Sequence, residues 1–267
     1  MANVQLLPWV WAAFGISLLG ALFFPTPLSL AGCLAGATYL LVSSLLVSLG
    51  LGRRGATKLG PANAATATRS MLVGLITALV VTSFTRPLPV ALLVGLTVAA
   101  LLLDAVDGWL ARRFRSESEL GARFDMEVDA FLMLVLSVFD ASTLGWWIVA
   151  IGLMRYAFVA AGWVLPWMRA QLPPRYWRKV VTAVAGIALT LAATGWSPLV
   201  GMIALSAALL LLIESFGRDV IWLFRQRHSP ATSRSVFSKR RMIPVRTSSE
   251  TSETRPLRGA SATRQEI

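Results

Sequence analysis

The sequence predicts an all-α protein, a polytopic membrane helix bundle with a two-helix N-terminal hairpin ahead of a six-helix core. Three observations carry that prediction. Apolar residues make up 56% of the 267-residue chain and charged residues only 14%, with a mean hydropathy of +0.67, which is membrane and not soluble-domain composition. The apolar residues fall into runs long enough to cross a bilayer, separated by short Pro, Gly or charged turns. The net charge of +12 is gathered in alternate connections and in the tail rather than spread through the runs. That is a topological pattern and not a nucleic-acid groove, so no nucleic-acid partner is expected.

Taken in order, Leu6–Phe24 is the first apolar run, with Trp9 and Trp11 near one end as interfacial aromatics often are. It lacks a basic leader and is too long for a signal-peptide core, so it reads as a retained span. Pro25-Thr-Pro27 breaks it, and Leu28–Leu51 is the second span. Arg53, Arg54 and Lys58 follow with Gly and Pro61, which places a boundary between a hairpin at 1–52 and a core at 61–225. A helix entering at Pro61 continues through Ser70–Phe84. Its Asn63, Thr66 and Arg69 are spaced by three and share a face. Capping of that helix start by Asn or Thr explains them equally well.

Arg86-Pro-Leu-Pro89 turns the chain into Val90–Leu110, and a short polar loop leads to Phe124–Phe139. Asp140-Ala-Ser-Thr143 reads as a connection, Trp146–Leu165 as the next span, and Pro166–Lys179 as a basic loop. Val180–Thr194, the turn Gly195–Pro198 and the run Leu199–Phe216, continuing to about Phe224, complete eight spans. The connections at 25–27, 140–143 and 195–198 hold no Lys or Arg, whereas the alternate ones hold three or four each. The tail from Arg225 carries ten basic residues against three acids, 10 − 3 = +7. The positive-inside rule then puts both termini and the polar loop after Leu110 in the cytoplasm, in an inner membrane of bacterial type. The tail at 226–267 is rich in Ser, Thr and Arg and reads as disordered; anionic headgroups could hold it, although a plain anchor and linker explains it too. Cys33 is the lone cysteine, which excludes an internal disulfide, and His228 reads as an ordinary surface residue.

The chemistry gathers around that loop. Asp104 and Asp107 lie three apart and Asp125 and Asp129 four apart, so each pair shares a helix face. Two helices joined by so short a loop are expected to run antiparallel and adjacent, bringing four carboxylates to one point. Such a cluster repels itself strongly near a membrane and needs cations or protons to persist. Hard oxygen ligands with a single His and a single Cys in the chain favour Mg²⁺ or Mn²⁺ over Zn²⁺. Paired divalent ions at a membrane interface suit phosphoryl displacement. A solvated loop with scattered acids is the bland alternative; the acids fall on the helical parts and have small residues beside them.

The stretch resembles the signature of the CDP-alcohol phosphatidyltransferases, D-x2-D-G-x2-A-R-x8-G-x3-D-x3-D. Asp104, Asp107, Gly108, Ala111, Arg112, Gly121, Asp125 and Asp129 match every fixed position. Over about 61–225 the resemblance is weaker, and it does not reach the hairpin or the tail. It implies a CDP-linked lipid donor, such as CDP-diacylglycerol, and a small alcohol acceptor. It also implies metal ligation by Asp104, Asp107, Asp125 and Asp129, with Asp129 as general base. Gly108, Ala111, Arg112, Gly121, Asn63 and Thr66 would then line the nucleotide site, the last two through a P-N-x2-T-x2-R stretch that Ala62 interrupts here. Snorkelling explains Arg112 as well.

Arg155, alone in an apolar span, is expected to face a polar cavity. With Arg123, Arg175, Arg178 and Lys179 it would form a basic pocket for a phosphorylated acceptor, glycerol 3-phosphate or inositol phosphate; pairing with Glu214 is the structural alternative. The family's G-K-x-K-T stretch is matched only at Lys179 and Thr182. A homodimer is expected by analogy alone. Two other classes are weighed. A UbiA-type prenyltransferase would carry its acids on two separate loops, and a divalent-cation transporter would place them near the midplane of broken helices; here they flank one loop.

Overall fold

A computed structural model describes residues 6–54, 61–114, 119–170, 172 and 176–227, with side chains described except at 53–54, 61–65, 107–114, 119–120, 169 and 227. Every regular element among them is helical. The α-helices are α1 (Leu7–Phe23), α2 (Leu30–Arg54), α3 (Pro61–Ser83), α4 (Val90–Phe114), α5 (Glu119–Leu144), α6 (Val149–Val164), α7 (Tyr176–Ala193) and α8 (Pro198–Arg227). Short 3₁₀ turns at Trp146–Ile148 and Pro166–Arg169 bracket α6. Four stretches are long and apolar enough to cross a membrane: Leu30–Gly52, Thr66–Ser83, Trp146–Val164 and Pro198–Gln226. Leu7–Phe23 and Val90–Val106 are apolar but shorter. The tail from His228 onward lies outside the described residues.

The centre of the bundle is α3, which packs against α1, α2, α4 and α5. Val73, Leu75, Ile76, Ala78, Leu79 and Val80 of α3 are almost fully buried, so its apolar surface meets protein all round rather than along one stripe. The hairpin seats on it through Leu19, Leu40, Met71, Leu75 and Ala78. Hydroxyls fasten that seam, which suits a medium where backbone and side-chain polar groups find no water. The Ser29 amide donates to Thr82 Oγ1 at 3.1 Å, while within the hairpin Ser44 Oγ of α2 donates to the Pro8 carbonyl of α1 at 3.0 Å.

The second half of the bundle is made by α7 on α8, α5 on α6 and α7, and α6 on α8. At Gly152 of α6 a side chain would strike the backbone of Leu134 and the hydroxyl of Ser137, so only glycine lets α6 lie this close to α5.

Three expectations are corrected. The segment 140–143 is helical, not a connection: nothing in Asp-Ala-Ser-Thr breaks a helix, and α5 ends where Gly145 turns to φ 115°. The segment 166–179 is not all loop, since Pro166–Arg169 forms a 3₁₀ turn and α7 already begins at Tyr176. Finally, α4 and α5 are not close neighbours along their lengths. Among the described residues each packs chiefly on α3 and on α7 instead, so a short connection brings the chain back without laying the two helices along each other.

Candidate active site

Three carboxylates converge beside α3. Asp104 of α4 and Asp125 and Asp129 of α5 each offer an oxygen, and these oxygens lie within 4.8 Å of one another. All three side chains are partly exposed, 45%, 32% and 29%. The side chain of Asp107 and those of Gly108, Ala111 and Arg112 fall outside the described residues, as does that of Asn63; their backbones lie in α4 and in the first turn of α3.

What joins the acids is Arg69, one helical turn after Thr66 on α3. Its side chain is 1% exposed, and it is among the largest fully buried side chains in the described bundle. Nη1 donates to Asp104 Oδ1 at 2.5 Å. Nη2 donates to Asp125 Oδ1 and to the Asp125 carbonyl at 3.3 Å, and it lies 3.1 Å from Asp129 Oδ1. One planar guanidinium thus ties α3 to both α4 and α5, a task for which its forked donors are suited and a lysine's point charge is not. Burying that charge is tolerable only because three anions face it. Its Nε has no hydrogen-bond partner.

The spacing of Asn63, Thr66 and Arg69 marked a shared face. It did not reveal that this face turns onto the acids. The available signal was an arginine in an otherwise apolar run, the same signal that singled out Arg155.

The donor set suits a hard divalent ion: three carboxylates, no sulfur or imidazole, and oxygens at mutual distances that one ion or a close pair can bridge. Arg69 engages Oδ1 of each acid, and a carboxylate has two oxygens, so the same residues can serve the arginine and a metal together.

The predicted basic pocket is more nearly neutral than the sequence suggests. Arg155 of α6 donates to Glu127 Oε1 of α5 at 2.5 Å, not to Glu214. Glu214 instead accepts from Trp177 Nε1 at 3.0 Å and pairs with Arg218. Arg178 of α7 lies 3.4 Å from the buried Asp219 of α8. Lys179 and Arg123 are exposed, on α7 and α5, and Arg175 is outside the described residues. Glu127 and Asp219 went unnoticed because neither belongs to a spaced motif. Glu127 sits two residues before Asp129, so the Arg155 pair borders the acid cluster.

A family model described as CDP-alcohol phosphatidyltransferase matches residues 59–214, more than half of the chain. That span takes in α3 through most of α8 and leaves α1 and α2 outside. The comparison with curated proteins gives no match.

Proposed function

The chain belongs to the CDP-alcohol phosphatidyltransferase family, and from that premise we propose that it transfers the phosphatidyl group of a CDP-linked lipid, such as CDP-diacylglycerol, to a hydroxyl of a small polar alcohol, releasing CMP. It is an integral membrane protein of phospholipid synthesis, as its family and apolar helices indicate. The observation that carries the finer reading is the convergence of Asp104, Asp125 and Asp129 within 4.8 Å.

In this reading those three acids, with Asp107 by its place in the signature, hold two divalent ions, Mg²⁺ or Mn²⁺. When bound, such ions neutralise the diphosphate and the charge that develops in displacement. Asp129 accepts the proton of the acceptor hydroxyl as that oxygen attacks the lipid-side phosphorus, and CMP departs. Arg69 fixes the two helices that carry the acids. Thr66, one turn away on α3, and the small residues Gly108, Ala111 and Gly121 with Asn63 and Arg112 line the nucleotide side. Arg155, Arg123, Arg178 and Lys179 form the acceptor side, with glycerol 3-phosphate or inositol phosphate as acceptor. The family-like catalytic core is 61–225, preceded by the hairpin at 1–52 and followed by a basic tail at 226–267, with the site and both termini facing the cytoplasm.

The test is CMP release from CDP-diacylglycerol in mixed micelles, screened over glycerol 3-phosphate, inositol phosphate, myo-inositol and serine. Release that depends on one acceptor, stops in excess chelator and returns with Mg²⁺ or Mn²⁺ supports the reading. Undiminished release without any divalent ion sinks the metal assignment, and no release with any CDP-linked lipid sinks the donor.

A further inference from the structure

We propose that the N-terminal hairpin, which lies outside the family match, belongs to the catalytic unit, and that Tyr39 of α2 is a positioning residue clamping the helix of Arg69 to the helix of Asp129. The identity of the site rests on the transferase reading; the clamp rests on contacts of its own.

The Tyr39 ring stacks on Phe131 of α5, centroids 4.5 Å apart and planes 14° from parallel. Phe131 is two residues beyond Asp129. The Tyr39 hydroxyl accepts from Ser70 Oγ at 3.4 Å, and Ser70 follows Arg69 directly. Ser43, one turn further along α2, offers that same Ser70 hydroxyl a second acceptor at 3.4 Å. One proton serves one acceptor at a time, so the pair forms a shared latch and not two bonds. A single side chain of the hairpin therefore touches α3 beside the arginine and α5 beside the acid.

The rest of the hairpin seam is fastened elsewhere. Ser29 meets Thr82 at the opposite end of α3, by amide at 3.1 Å and by hydroxyl at 3.2 Å. Thr82 is thirteen residues from Arg69 on one helix, 82 − 69 = 13, about 20 Å at 1.5 Å per residue. Mere anchoring of the hairpin is thus separable from clamping at the site. Clamping affects chemistry because ligand oxygens must keep their mutual distances; a displacement of about 1 Å can lower a rate about a hundredfold.

The experiment compares full-length Tyr39→Leu, Tyr39→Phe and Thr82→Val in detergent. The readouts are Mn²⁺ affinity by titration of the free-ion EPR signal, melting temperature, and kcat and KM for CDP-diacylglycerol. Tyr39→Leu should weaken Mn²⁺ binding about tenfold and lower kcat/KM by about ten- to a hundredfold. Tyr39→Phe keeps the stack and should restore most of both. Thr82→Val should lower the melting temperature and leave Mn²⁺ affinity at the wild-type value. Tyr39→Leu with unchanged Mn²⁺ affinity overturns the clamp, as does Thr82→Val weakening Mn²⁺ as much as Tyr39→Leu. If Tyr39→Leu does not fold, Phe131→Leu removes the same stack from the other side under the same criteria. A wild-type protein that binds Mn²⁺ but releases no CMP sinks the transferase reading and leaves the clamp to be judged on affinity; one that binds no Mn²⁺ overturns both.

Discussion

Arg69 does at the centre of the site what loose counterions would do at a surface. Three carboxylates share one buried guanidinium, so the cluster carries formal charge 1 − 3 = −2 before Asp107 is counted, and a divalent ion still finds a favourable field. Arg69→Gln would leave three anions facing each other with no cation. Stability should fall by about 3 kcal/mol, the low end for stripping a buried pair because the acids are partly exposed. Mn²⁺ should then raise the melting temperature of the variant more than that of the wild type, since it supplies the missing charge; an equal rise in both would show that Arg69 is not the balancing charge. Asp129→Asn keeps one side-chain oxygen and removes the proposed base. It should still bind nucleotide while CMP release drops about 10²- to 10⁴-fold, and near-wild-type turnover would show that the base lies elsewhere. At this scale Asp104, Asp125 and Asp129 were legible because helical spacing alone puts each pair on a face. The partner of Arg69 was not, because spacing says which residues share a face and nothing about what lies opposite.

Helix α6 shows how one close approach places an arginine beside the acids. Gly152 lets α6 settle onto Leu134 and Ser137 of α5, and Arg155, three residues on, meets Glu127. Gly152→Leu would force the two helices apart. Overpacking of this kind costs about 1–3 kcal/mol, and the loss should appear both as a lower melting temperature and as a raised acceptor KM. Arg155→Ala leaves the packing alone. It should raise the KM for a phosphorylated acceptor and leave CDP-lipid binding intact. An unchanged acceptor KM would mean that the Arg155–Glu127 pair is structural. The helices themselves were readable from apolar run lengths and from Pro and Gly punctuation. At 140–143 polarity alone suggests a turn, whereas the helix stops at Gly145 with its positive φ. The separation of α4 from α5 could not be read at all. Loop length limits how far apart two helix ends can be, but the wedge of α3 between them is decided by which apolar surfaces fit, and α3 is apolar all round.

At the scale of the molecule, charge and hydropathy point to one orientation. If all eight helices cross, the chain ends on the side where it began. The stretches around the connections then divide into a bare set and a basic set: 25–27, 140–143 and 195–198 have no Lys or Arg and 84–89 has only Arg86, while 53–58, 112–115 and 169–179 have three or four each. Moving those cations across a membrane is opposed by the potential and by the cost of burying charge. Helices α5 and α7 are less uniformly apolar than the four long spans; both carry charged residues in their early turns, Arg123, Asp125, Glu127 and Asp129 on α5 and Arg178 and Lys179 on α7, so the site sits at the end of the bundle where those helices are most polar. This arrangement can be tested with single cysteines in a Cys33→Ala background. A cysteine at Ser142, which is exposed next to the end of α5, should react with a membrane-impermeant maleimide in intact cells. One at Ser118, in the connection that follows α4, should react only in inverted vesicles. The opposite pattern would overturn the cytoplasmic placement of the acids, and labelling of both from one side would mean that α5 does not cross.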